Sequence, residues 1–86
     1  MTVWIDDARN PYGRMKMAHM IADSREELHE MAVKIGVSKR WIQRAGTYRE
    51  HFDVCQEKRL AAIAMGAVEV TQKELARILM QRRTRP

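Results

Sequence analysis

The 86-residue chain has room for one domain with a thin core, since a chain this short buries only about 60 to 65% of its unfolded surface. A hydrophobic content of 45% with seven Met lies in the ordinary globular range and excludes disorder of the whole chain. The 16 Lys and Arg against 11 Asp and Glu, a net charge of +5, favour polyanionic partners, although a basic solvated surface produces the same balance.

Thr2-Val3-Trp4-Ile5 is a β-favouring run that stops at Asp6-Asp7, and Ala8 to Arg14 contains the turn formers Asn10-Pro11 and Gly13. The pattern predicts a strand and then a loop. Met15 to Ala22, apolar apart from Lys16 and His19, predicts a second, buried strand. Ser24 with Glu27 three residues on forms a capping-box signature. Leu28, Met31, Ala32 and Ile35 follow at the spacing of one buried helical face, and Gly36 closes a helix over 24 to 35. Ser38 to Arg44 predicts a short helical turn, and Ala45 to Glu50 a polar connection. His51-Phe52-Asp53 reads as a very short strand. Asp53 is placed to cap a helix over 54 to 65 that Gly66 stops. Ala67 to Val70 is a strand, and Thr71 with Glu74 repeats the capping signature before a helix over 72 to 82.

Strands alternating with helices predict a small α/β domain over residues 1–81, with a mainly parallel sheet of 3–4 strands and about three helices. A basic tail over 82–86 follows. Met31-Ala32, Gly36, Val37-Ser38 and Ile42 also have the spacing of a helix-turn-helix, but the strands on either side disfavour it.

One cysteine, Cys55, makes no internal disulfide, and Met1 to Asp7 carry charge where a secretory signal needs an apolar stretch. No apolar run reaches the roughly 18 residues of a membrane helix. The expectation is a cytoplasmic protein with no membrane partner. No Gly-rich phosphate loop, nucleophile elbow, Cys-x-x-Cys or His-Glu-x-x-His is present, which removes the familiar mononucleotide, hydrolase and metalloprotease classes.

No cofactor is called for by a motif, but two features leave room for a divalent metal. His19, His29 and His51 lack the separations of closely paired ligands, so a metal centre requires the fold to gather them. Asp6 and Asp7 end the first strand, where paired acids either hold a divalent ion or cap the loop. His29, next to the Leu28 stripe, reads as a structural histidine. Lys39, Arg40, Trp41 and Arg44, with Arg82 and Arg83, are the candidates for nucleic acid, Trp41 either stacking a base or covering the core edge.

The ordered blocks Val3-Trp4-Ile5-Asp6-Asp7, Gly13-Arg14-Met15, Ala18-His19-Met20-Ile21-Ala22-Asp23, Glu27-Leu28-His29, His51-Phe52-Asp53, Lys58-Arg59 and Gly66-Ala67-Val68-Glu69-Val70 resemble a family of small phage and bacterial proteins of unknown function. The resemblance covers about residues 2 to 71. It departs at Ala18 and Phe52, where many phage relatives have Cys and Tyr, and it implies a phage setting without supplying a reaction. It directs attention to Asp6, Asp7, Arg14, His19, His51, Asp53, Lys58 and Arg59 as a pocket near the start of the second helix, whose cations and free N–H groups suit a phosphate.

The first expectation is therefore an accessory protein that binds nucleic acid or another phosphate-bearing ligand. The second is a small metal- or histidine-dependent enzyme that processes nucleotides or phosphoryl groups, and the third an adaptor or inhibitor of a host protein.

Overall fold

The computed structural model describes residues 2–83. In chain order the elements are β1 (Val3–Ile5), β2 (Asn10–Tyr12), β3 (Met15–Ala22), α1 (Arg25–Lys34), a 3-10 turn (Lys39–Trp41), β4 (Phe52–Cys55), α2 (Gln56–Ala64), β5 (Val68–Glu69) and α3 (Gln72–Arg83). The expected α/β class and three helices are present. The sheet is mixed rather than mainly parallel: β3 pairs antiparallel with β1, β2 and β4, and only β1 with β5 is parallel. The reason lies in Asn10-Pro11-Tyr12, expected as loop. These residues form a strand joined to β3 by the two-residue turn Gly13-Arg14, and so short a connection permits only antiparallel pairing.

Register fixes the strand order. Met20 pairs with both Ile5 and Phe52, and Met17 with both Asn10 and Cys55. Because a strand has two edges, β4 takes one edge of β3, and β1 and β2 follow each other along the other.

Strand periodicity then gives the sheet two unlike faces. Ile5, Ala18, Met20 and Phe52, all fully buried, join Val54 on one face and pack with Leu28, Met31, Ala32 and Ile35 from the α1 segment and Ala62 of α2. Met17, His19, Asp53 and Cys55 alternate with them and project from the other face. His29 is half-buried beside the core, its ring edge-on to Phe52 at 6.0 Å and its Nε2 buried without a hydrogen-bond partner.

Local chemistry sets the helix ends. Ser24 Oγ accepts from the Glu27 N–H at 3.2 Å. At α3 the box is reciprocal, with Glu74 N–H donating to Thr71 Oγ1 and Thr71 N–H donating to Glu74 Oε1. Gly36 and Gly66 adopt φ of +80° and +104°, and the residues after them, Val37 and Ala67, donate back to the Ala32 and Ala62 carbonyls. This double-bonded ending favours glycine because only it enters the left-handed region freely. The expected start of α2 is corrected: Val54 and Cys55 remain in β4, Cys55 caps the helix without a side-chain bond, and Asp53 points elsewhere. No recognition helix follows Gly36, only the 3-10 turn. Arg82 and Arg83 belong to the last turn of α3, and the rest of the expected basic tail, residues 84–86, lies outside the described residues.

Candidate functional site

Between the pairs Ile5↔Met20 and Asn10↔Met17 four residues, 6 to 9, face only Ala18 and His19, so the chain must bulge out of the ladder. Asp6 fastens this bulge. Its own N–H donates to the His19 carbonyl at 3.0 Å, and its carboxylate Oδ1 accepts from the N–H groups of His19 and Ala8 at 2.8 and 3.1 Å. The other oxygen, Oδ2, lies 2.7 Å from Nδ1 of the His19 ring. Arg59 Nε donates to the Asp6 carbonyl at 2.8 Å.

Asp6 is only 1% exposed. Burial opposes its charge, but the bonds from the His19 ring and from the His19 and Ala8 N–H groups outweigh it and hold the carboxyl below the ordinary range. The same ring bond raises the His19 pKa against the opposing effect of burial, with the charges of Asp6 and Asp53 adding to the rise. An ionised carboxylate only accepts, so Nδ1 carries the proton in this pair and Nε2 is the nitrogen left to face outward.

Opposite His19 in the ladder stands Asp53, and His51, two residues earlier in extended chain, lies on the same face. Gln43 pairs with His51 through reciprocal backbone bonds of 2.8 and 3.1 Å. That pairing depends on the turn after it, where Arg44 takes a left-handed φ of 56° and its carbonyl accepts from Thr47 N–H and Oγ1. His51 Nδ1 lies 2.7 Å from the Arg49 carbonyl. A carbonyl cannot donate, so here too Nδ1 carries the proton and Nε2 is turned away from it.

Both Nε2 atoms converge on one carboxylate oxygen, Asp53 Oδ1, at 3.8 Å from His19 and 3.3 Å from His51. The three atoms lie within 4.8 Å of one another, and the two rings meet edge-on at 5.5 Å. Ligands of a tetrahedral ion at about 2.0 to 2.2 Å stand about 3.3 to 3.6 Å apart, close to the two nitrogen–oxygen separations of 3.8 and 3.3 Å found here. The acceptors on the two Nδ1 atoms, a carboxylate and a backbone carbonyl, are the outer partners that metal-bound histidines characteristically have.

This cluster borders a cavity of about 410 Å³ lined by Asn10, Pro11, Tyr12, Met15, Met17, His19, Val37, Trp41, Gln43 and Asp53. Its size falls within the small-ligand range of roughly 300 to 1,000 Å³. None of these residues is Lys or Arg.

Of the residues singled out from the sequence, the fold thus gathers Asp6, His19, His51 and Asp53, with Arg59 behind Asp6. Asp7 is engaged elsewhere, its Oδ1 accepting from Gln72 N–H at 3.0 Å at the start of α3. The two acids therefore do not act as a pair on one ion. Arg14 is exposed in the β2–β3 turn, and Lys58 Nζ lies beside Gly36, neither lining the cavity. Among the basic candidates, Lys39, Arg40 and Arg44 are exposed on the segment that supplies Trp41 and Gln43, while Arg82 lines a separate cavity with Ser24 and Glu50 and Arg83 is exposed. The sequence reading missed Asn10 and Tyr12 as lining residues, and considered Gln43 only as a base- or phosphate-facing residue of a helix-turn-helix. Asn10 and Tyr12 both sit in the segment expected as loop and line the cavity only because it pairs with β3 as β2.

Fold and site together define a small mixed-sheet α/β protein with a His-His-Asp cluster on the open face of its central ladder. The chain belongs to the family described as protein of unknown function (DUF4031), whose profile matches residues 3–82. No curated protein and no solved structure matches it. Among the described residues no helix is long and apolar enough to cross a membrane.

Proposed function

We propose that this protein binds a divalent metal ion of the zinc class through His19 Nε2, His51 Nε2 and Asp53, and acts hydrolytically on a phosphate-bearing ligand in the adjoining cavity. The supporting observation is the convergence of two histidine nitrogens whose protons are fixed on the far side by Asp6 and by the Arg49 carbonyl. Two imidazoles and one carboxylate favour zinc, cobalt or nickel over magnesium, and three protein ligands leave a fourth position for water or ligand. The ion would polarise whatever occupies that position. It also answers an electrostatic question, since a cavity lined by an acid and no Lys or Arg needs a cation to hold phosphate. The exposed Lys39, Arg40 and Arg44 then serve approach of the anion rather than its seat.

Titration of the metal-free protein with Co²⁺, followed by visible absorption and by competition with Zn²⁺, tests the reading. One ion should bind per chain at micromolar concentration or below. His19→Ala and His51→Ala should each lose this binding while remaining folded, and p-nitrophenyl phosphate esters should be cleaved only by the metal-loaded parent. Absence of stoichiometric binding, or binding unchanged in both variants, refutes the proposal.

A further inference from the structure

The walls of the cavity differ in chemistry from its floor. Trp41 and Tyr12 line it while staying 57% and 62% exposed, an exposure that costs hydrophobic stabilisation and that the core does not explain. Met15, Met17 and Pro11 complete an apolar, polarisable wall beside these rings. Two side-chain amides stand among them. Asn10 Nδ2 is 3.5 Å from His19 Nε2, and Gln43 is steadied by donating from Nε2 to the Trp41 carbonyl at 3.3 Å, which leaves its oxygen as an acceptor. Each amide offers both a donor and an acceptor. The Arg40 guanidinium sits 4.8 Å from the Trp41 ring centre, within cation–π range of the indole.

A flat heterocycle with mixed hydrogen-bonding edges fits such walls, because stacking on an indole is tolerant of ring identity while amides read ring edges. A simple sugar phosphate would leave the aromatic surfaces wet. We infer that the ligand of this site is a nucleobase-bearing phosphate ester, its base stacked on Trp41 within reach of Asn10 and Gln43, and its phosphate directed to the His19, His51 and Asp53 cluster. The inference rests on the metal reading for the phosphate end only; the base end stands on Trp41 and the two amides.

Calorimetric titration of the zinc-loaded protein with adenosine monophosphate, ribose 5-phosphate and adenosine separates the two ends. The nucleotide should bind about tenfold or more tightly than ribose 5-phosphate, the range that one stacked base contributes. Trp41→Ala should erase that difference, Trp41→Phe should restore part of it, and both variants should take up Co²⁺ as the parent does, with melts verifying the fold. Equal affinity for nucleotide and ribose 5-phosphate, or no effect of Trp41→Ala, overturns the inference while leaving the metal centre standing. Loss of Co²⁺ binding with adenosine still recognised through Trp41 overturns the metal reading instead. A short single-stranded oligonucleotide with a terminal phosphate distinguishes the two sources of the same chemistry. Tighter, salt-sensitive binding that Arg44→Ala weakens assigns the base to a strand end, and equal binding assigns it to a free nucleotide.

Discussion

Two faces of one ladder, β3 against β4, carry opposite chemistries from alternate positions of the same short segments. Ala18 faces Val54 and Met20 faces Phe52 on the side covered by α1 and α2, where none is more than 1% exposed. One residue along, His19 faces Asp53, with His51 beside them, half-buried and polar. The difference lies in what each face needs for its neighbours. The apolar face is held by volume and exclusion of water, and is specified once the side chains fill the space under the helices. The polar face is held by assigned protons and acceptors, and its order comes from particular partners: for one ring Asp6, thirteen residues away in a bulge, and for the other the Arg49 carbonyl, two residues earlier in the chain.

If that contrast is sound, breaking the two faces has different consequences. Phe52→Ala removes the largest wholly buried side chain of the ladder and should cost about 3 to 5 kcal/mol. At about 4 to 8 °C per kcal/mol for a domain of 60 to 100 residues, thermal denaturation should show a drop large enough to leave little folded protein at 37 °C. A loss under about 1 kcal/mol would mean that the helices do not depend on this ring. Asp6→Asn keeps shape but replaces a carboxylate that serves two backbone N–H groups and a ring N–H. With one acceptor oxygen removed in a buried place, the expected cost is about 1 to 3 kcal/mol. Co²⁺ affinity should fall with it by about 10- to 100-fold, the usual effect of losing a histidine's outer partner. Metal binding unchanged in a destabilised Asp6→Asn protein would reduce Asp6 to a fastener of the bulge.

The same contrast explains how much of the molecule is legible in its sequence. Elements set by local chemistry are readable: α1 and α3 from their capping residues and apolar stripes, both glycine-terminated helix ends, and β3 from its apolar run. β2 is not, because Asn10-Pro11 has turn chemistry and forms a strand only by pairing with β3 along an exposed edge. Without it, an antiparallel meander reads as a parallel sheet. At the site, Asp6, His19, His51 and Asp53 are visible as polar groups interrupting strands. Their meeting is not, since it depends on the two-residue surplus of the bulge and on the His19↔Asp53 register. Lys58 and Arg14 stay out of the expected pocket, Lys58 reaching toward Gly36 and Arg14 lying exposed in the β2–β3 turn.

The smallest expected effect, and the one that most directly probes the polar face, is the pH dependence of the Asp6–His19 pair in the presence of a chelator. Asp6 is held below its unfolded value of about 3.9. It therefore contributes stability that is present above that pH and is lost as pH falls through its folded value. His19 is held above its unfolded value of about 6.5. Its contribution is full below that pH and is lost as pH rises through its folded value. The two contributions overlap between about pH 4 and 6.5 and decline on either side, because protonating Asp6 or deprotonating His19 removes one charge of the pair. A His19→Gln variant retains a side-chain amide near Asp6 but does not titrate. Urea melts of parent and variant from pH 3 to 8.5 should show their stability difference greatest inside that window and smaller at both ends. Sulfur, aromatic and aliphatic packing on the opposite face does not titrate, so it contributes nothing to the shape of this difference. A gap that widens steadily toward pH 8.5 would place the stabilising form of His19 in the neutral ring, and Asp6 would then act on it as a hydrogen-bond acceptor alone.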